Sequence, residues 1–181
     1  CGRTPPQADP RPRCPGCGKL QEGCVCAEHD FRFDGAAAPF PYEGEMVSAV
    51  LQAKENCNRD ALDFFAGHMA GAARAAGWKA TLVTWVPMHP EKERERGYNP
   101  ARELAELTAA RLRLPARELL RKRRRTPPQH TLSAGERWEN IRDVFGRAVL
   151  TPLKNHRVIL VDDILTTGAT ADACAAALKK M

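Results

Sequence analysis

The sequence predicts an α/β protein, a parallel sheet flanked by helices, with a small cysteine-rich module in front of it. The first observation is Val158-Ile159-Leu160-Val161, an unbroken apolar run closed by Asp162 and Asp163. A glycine-containing turn and the Ala-rich stretch Ala171–Leu178 follow, so strand, loop and helix succeed one another as in a βα unit. The second is Thr81–Val86, a short β-branched run closed by Pro87, as expected of another buried strand. The third is the recurrence of apolar residues at helical spacing ahead of and between these runs.

Residues 1–30 are rich in Cys, Pro, Gly and Arg and poor in large aliphatics, so they lack the material for an apolar core and need another staple. Cys14-x2-Cys17-x6-Cys24-x-Cys26 supplies one, because tetrahedral Zn²⁺ takes four thiolates at about 2.3 Å and Gly16 and Gly18 favour the tight turn of a knuckle. The second pair is C-x-C rather than C-x2-C, and His29 or Cys1 are alternative ligands. A redox-active or disulfide-bonded pair is the competing reading. Zinc would then supply most of the folding free energy of a zinc-ribbon-like module. The main domain is expected over residues 31–181.

Within it, Ala36–Tyr42 reads as a strand, and Met46, Val47, Val50, Leu51 and Lys54 fall on one helical face. Leu62, Phe65, Ala66, Met69 and Ala73 repeat that spacing up to Gly77, a C-cap signal. Ala101, Leu104, Ala105, Thr108 and Leu112 form a third helix, ended by Pro115. Cys57 and Cys174 fall in helices and read as buried small residues, and His68 as a packed or surface histidine. A helix such as 171–178 calls for a further strand beyond Met181, and the start at Cys1 suggests preceding residues.

Of 181 residues, 43% are hydrophobic, and no run approaches the roughly eighteen apolar residues of a membrane span, which predicts a soluble chain without membrane insertion. Seven cysteines, an odd number, with no export signal point to reduced thiols in the cytoplasm. The net charge of +6 is concentrated in Arg111–Arg125, where Glu118 alone opposes eight cations. Such a run attracts polyanions such as nucleic acid, or is a solvated loop or helix end.

The loop Val158–Thr170, VILVDDILTTGAT, carries the chemistry. A buried strand delivers Asp162 and Asp163 at its carboxyl end, the edge where ligands sit in open α/β sheets. Paired carboxylates are purely acceptors and suit a ribose diol or a metal. Thr166, Thr167, Gly168, Ala169 and Thr170 then offer backbone amides, hydroxyls and a helix start to a phosphate. A Walker B strand is the rival, but it requires G-x-x-x-x-G-K-[ST] earlier in the chain, and this sequence has none.

This pattern resembles the signature of type I phosphoribosyltransferases. Val86-Pro87-Met88-His89-Pro90 with Glu91–Asn99 resembles the segment of ComF-family proteins that ends Arg-Gly-Phe-Asn, and Thr126–Gln129, Leu132-Ser133, Glu136-Arg137 and Asn140–Phe145 resemble their Gln-x-x-Leu-Ser-x-x-Glu-Arg-x-x-Asn segment. The resemblance implies a type I phosphoribosyltransferase-like fold in which Asp162 and Asp163 hold the ribose hydroxyls of phosphoribosyl pyrophosphate. It places the 5-phosphate on Thr166–Thr170, and Mg²⁺ arrives with the substrate. It makes Lys92, Arg94 and Arg96 candidates for stabilising the departing diphosphate; a solvated helix face laced by Glu91, Glu93 and Glu95 is the alternative. It brings Arg137 to the site and makes Cys1 the remnant of an earlier cysteine pair. Two functions follow from the family: phosphoribosyl transfer to an acceptor the sequence does not identify, or sensing of the compound by a module that binds single-stranded DNA beside competence proteins. Pro100 departs from the usual Gln and implies a different start for the following helix.

Overall fold

The computed structural model describes residues 11–127, 133–149 and 152–181. Cys1, His130 and the family segment over 128–132 lie outside the described residues. The chain is mixed α/β, with a small parallel sheet, surrounding helices and a cysteine cluster. Its elements are a short 3-10 turn at Gln21–Gly23, then α1 (Glu45–Asn56), α2 (Arg59–Ala75), β1 (Leu82–Trp85), α3 (Pro90–Arg96), α4 (Pro100–Leu112), β2 (Leu120–Lys122), α5 (Ala134–Ile141), β3 (Phe145–Arg147), β4 (Val158–Val161) and α6 (Ala169–Leu178).

Strands β1 and β4 pair in parallel, with Leu82 opposite Val158 and Trp85 opposite Val161. On the other side of β1, Val83 donates its amide to the Pro115 carbonyl and accepts from the Arg117 amide, both at 2.9 Å, so the segment after α4 continues the sheet. The chain then turns into β2, which pairs antiparallel with β3.

Side chains that alternate along the strands separate two cores. Val83, Trp85, Ile159 and Val161 face α1, α2 and α4, where Leu62, Phe65 and Leu104 are buried. Leu82, Val158 and Leu160 face the opposite way, against Leu120, Ile141, Val144, Phe145 and Cys174. Covering both faces explains why the strands read as apolar runs rather than alternating ones. Each large aliphatic side chain fully buried this way contributes roughly 1.5–3 kcal/mol. Thr84, the polar member of β1, is fully buried, and its Oγ1 accepts from the Leu119 amide at 3.4 Å.

Helix α4 shows how the loop after β1 is anchored. Asn99 is 3% exposed; its Oδ1 accepts from the Ala101 amide at 3.0 Å and its Nδ2 donates to the Val86 carbonyl at 3.1 Å. Pro100 takes the first helical position, where its missing N–H costs nothing, so the departure from Gln gives an ordinary capped start.

Two expectations change. Ala36–Tyr42 is not a strand: Pro39 and Pro41 lack ladder donors, and the segment runs as an irregular loop beside α1 and α2. Cys57 is not helical but caps α1 in the left-handed region (φ 46). Glu91, Glu93 and Glu95 do stand on a helix, α3.

Candidate functional site

The parallel register places the loops after β1 and β4 side by side at the carboxyl edge of the sheet, and a cleft of about 540 Å³ opens between them. Asp162, Asp163 and the whole turn Thr166–Thr170 line it. Gly168 has φ +84, and a Cβ there would come within 2.7 Å of the Phe31 ring, so both backbone shape and space demand glycine. Among the described residues, the amides of Thr166, Thr167, Gly168 and Thr170 donate no hydrogen bond, while the Ala169 amide is weakly engaged by Thr167 Oγ1 at 3.4 Å. These donors surround the N-terminus of α6, an arrangement suited to an anion.

Charge on the cleft is strongly positive away from the aspartates. Lys54, Lys92, Arg96, Lys122, Arg125 and Arg137 line it against Asp162, Asp163 and Glu95. Lys92 and Arg96 stand one turn apart on α3 and share the cleft, whereas Arg94, exposed on the same helix, is not part of its lining. The glutamates of α3 do engage cations: Arg125 lies 3.6 Å from Glu91 and 3.9 Å from Glu95. Arg137 donates to Thr166 Oγ1 at 3.3 Å. The Lys122 ammonium donates to Thr126 Oγ1 at 2.7 Å; burial, and then the Lys92 charge, hold its pKa below the usual lysine value.

Lys54 is the principal residue that sequence reasoning missed. Its ammonium is 2.5 Å from Asp163 Oδ2. The signal was a lysine recurring at an apolar-face position of α1. Tyr98 positions it from the Arg-Gly-Tyr-Asn segment, donating its hydroxyl to the Lys54 carbonyl and accepting from the Cys57 amide at 3.1 Å. Asp162 is pushed well above the ordinary carboxylate value, first by burial and then by the Asp163 carboxylate. The Asp163 amide, 2.9 Å from Asp162 Oδ1, and the Lys54 charge pull the other way and lose.

The second constellation is Cys14, Cys17, Cys24 and Cys26, whose Sγ atoms all lie within 4.8 Å of one another. Four thiolates at about 2.3 Å from a tetrahedral ion sit about 3.8 Å apart; Cys14–Cys26 is 3.6 Å and Cys17–Cys24 is 3.9 Å. The four could therefore hold a metal ion such as zinc. Gly18 at φ +74 closes the knuckle, donating its amide to the Cys14 carbonyl at 2.8 Å. The Cys17 amide, foremost among several hydrogen bonds, lowers the Cys14 pKa to about 6, and the Cys14 sulfur in turn pushes Cys26 up to about 12. Four thiolates this close repel one another, and a cation at their centre would offset that repulsion. His29 is not in the cluster; its ring packs on Trp138 (4.8 Å) and Phe31 (5.8 Å).

Two outcomes follow. A carboxyl whose folded pKa is raised binds more protons in the native state than in the unfolded one, so its contribution to stability falls as pH rises above its ordinary value of 3.8. Asp162→Asn should therefore melt a few degrees above the parent at pH 7, with the gap closing on acidification, as read by thermal unfolding across pH. With Co²⁺ as probe, the parent should give the charge-transfer and d–d absorption of a tetrahedral thiolate site. Cys17→Ser should weaken Co²⁺ by more than the roughly 10–100-fold typical of losing an outer-shell partner; equal affinity and unchanged spectra would remove the metal assignment.

The chain is similar to competence protein F of Haemophilus influenzae, with 33% identity over 98 residues, which cover 53% of this chain and 43% of that protein. The match therefore spans less than half the length of that relative. No family model matches the chain, and neither does any solved structure.

Proposed function

We propose that this chain is a ComF-family, phosphoribosyltransferase-like protein that binds phosphoribosyl pyrophosphate and transfers its phosphoribosyl group to a nitrogen nucleophile, in the setting of natural competence. The observation that carries this reading is the conjunction, on one cleft, of paired aspartates at the end of β4 with the Thr166, Thr167, Gly168 and Thr170 amides, which donate no hydrogen bond among the described residues. The likeness to competence protein F supports the family and the setting.

In this reading the ribose diol lies against Asp162 and Asp163, displacing Lys54 from Asp163 or sharing it. The 5-phosphate lies on the turn, with the helix start and Arg137 beside it. Bond formation between the nucleophile's lone pair and C1 accompanies cleavage of the C1–O bond. The electron pair of that bond leaves with the diphosphate, and the proton released from the nitrogen passes to water. Lys92, Arg96 and Lys122 then stand where negative charge accumulates. Arg94, which the resemblance also nominates, contributes at most at longer range. Mg²⁺, entering with the substrate, supplies further charge neutralisation on the diphosphate.

Calorimetry with phosphoribosyl pyrophosphate and Mg²⁺ tests the reading. Asp163→Ala should weaken binding by about 10–100-fold, the scale of a lost charge-assisted hydrogen bond; if it binds as well as the parent, the diol contact is wrong.

A second reading, a non-catalytic sensor of the same compound that binds single-stranded DNA, is favoured by Arg113, Arg117 and Arg121, which stand exposed in the basic stretch. Three other arginines of the stretch have structural work: Arg111 pairs with Asp63 at 2.5 Å, Arg124 donates to the Asn140 and Arg142 carbonyls at 3.2 Å, and Arg125 lies 3.6 Å from Glu91. Aromatic residues are only 6% of the chain, so phosphate contacts would dominate, and affinity for an oligonucleotide should fall steeply with salt. Anisotropy titrations that show no salt dependence, or no loss in an Arg117→Gln, Arg121→Gln double variant, would exclude it.

A further inference from the structure

Residues 27–36 form a loop with both feet on the cysteine knuckle and its crest on the anion turn. At the first foot, Cys26 belongs to the cluster, and the Glu28 and His29 amides both donate to the Val25 carbonyl at 3.1 Å. At the second, the Ala36 amide donates to the Pro15 carbonyl at 3.0 Å, and Ala36 fills the space beside Gly18, where a Cβ would come within 3.2 Å of it. Pro15 follows Cys14 and Gly18 follows Cys17, so the separation of the feet is set by the geometry of the sulfurs.

The crest meets the turn at several points. The Phe31 ring closes on Gly168. The His29 ring packs on Trp138, whose chain neighbour Arg137 donates to Thr166 Oγ1. The Arg32 amide donates to Asp172 Oδ1 at 2.5 Å and its guanidinium to Oδ2 at 2.7 Å. Asp172 stands in the first turn of α6, is buried, and donates its amide to the Gly168 carbonyl at 2.8 Å. Left unpaired, a carboxylate buried beneath amides that face an anion would repel that anion. Arg32 neutralises it and holds it in place, without itself lining the cleft.

We propose that Arg32 is a positioning residue for the anion turn and that metal held by the four cysteines, acting through this loop, sets the turn's affinity for a phosphate monoester. The proposal rests on the reading that the turn takes the 5-phosphate, and adds the regulation of that site. Bound metal neutralises the thiolates and fixes both feet, and the knuckle has little apolar material to do so in its place. Without metal the feet part, Arg32 leaves Asp172, and the bare carboxylate weakens the turn's hold on an anion. Coupling of this kind is reciprocal, so the phosphate ligand tightens metal binding by the same factor.

The test compares the reduced full chain loaded with Zn²⁺ and stripped by a chelator. By hydrogen–deuterium exchange, a peptide covering 166–178 should exchange at least about fivefold faster without metal, while one covering α4 stays within about twofold. By calorimetry, ribose 5-phosphate and phosphoribosyl pyrophosphate with Mg²⁺ should each bind at least about fivefold more tightly to the loaded chain. Arg32→Ala should keep the tetrahedral Co²⁺ spectrum yet bring that ratio to within about twofold of one. The pair Arg32→Ala, Asp172→Asn should bind either ligand more tightly than Arg32→Ala alone, and gives the same ratio if Arg32→Ala does not fold, folding being checked by circular dichroism. The inference is overturned if exchange over 166–178 ignores the metal, if α4 responds equally, or if a folded Arg32 variant keeps the full metal dependence. Phosphoribosyl pyrophosphate that binds with no metal dependence overturns the inference alone. Ribose 5-phosphate that binds with the expected dependence, in a chain that ignores phosphoribosyl pyrophosphate, upholds the inference and overturns the transfer reading alone; binding of neither overturns both.

Discussion

The parallel register between β1 and β4 is the constraint on which the rest depends. Because Trp85 lies opposite Val161 and the Val86 amide donates to the Val161 carbonyl at 2.9 Å, both strands end at one level. The loop with α3 and the loop with the aspartates therefore leave the sheet side by side. A slip of one residue would turn Val83 and Ile159 to the wrong core and move the two loops apart, so hydrophobic partition and site assembly are specified together.

What could be read directly was whatever is encoded locally. The run Val158–Val161 with its turn and helix is such a case, since burial on both faces leaves an apolar word that needs no partner to be recognised. The cysteine spacing is another. Strands β2 and β3 were not read, because each is three residues long and β2 sits inside a basic run; only their mutual pairing and the burial of Leu120 and Phe145 make them strands. Helix α5 carries a local signal, the Ser133–Glu136 capping box. Ala36–Tyr42 misleads for the opposite reason: its apolar composition suits a strand, and Pro39 and Pro41 deny it one. Lys54 escaped because its partner is 109 residues away in the chain, and helical spacing says nothing about what a face meets.

The site sets local cost against chemical use. Two adjacent carboxylates, one of them driven toward its neutral form, and a turn with four unengaged amides are poor choices for a chain selected only for stability. Lys54 relieves part of the repulsion from one side, and the cations of α3 and β2 face the aspartates across open space rather than collapsing onto them. Such separation of opposite fields survives because the two loops are held by different anchors: Asn99 ties one to β1 and α4, and the first turn of α6 ties the other to the second core.

The segment joining the cysteine knuckle to α1 is not a passive tether. Phe31 occupies the space against Gly168, the Arg32 amide and guanidinium grip Asp172 at 2.5 and 2.7 Å, and Asp34 meets Lys179 at 2.6 Å. Asp172 is only 3% exposed, so a chain shortened to begin after this strap would strand a carboxylate beneath the anion-facing turn and open a gap behind its glycine. A fragment cut there to isolate the larger body would inherit a mould with one side missing.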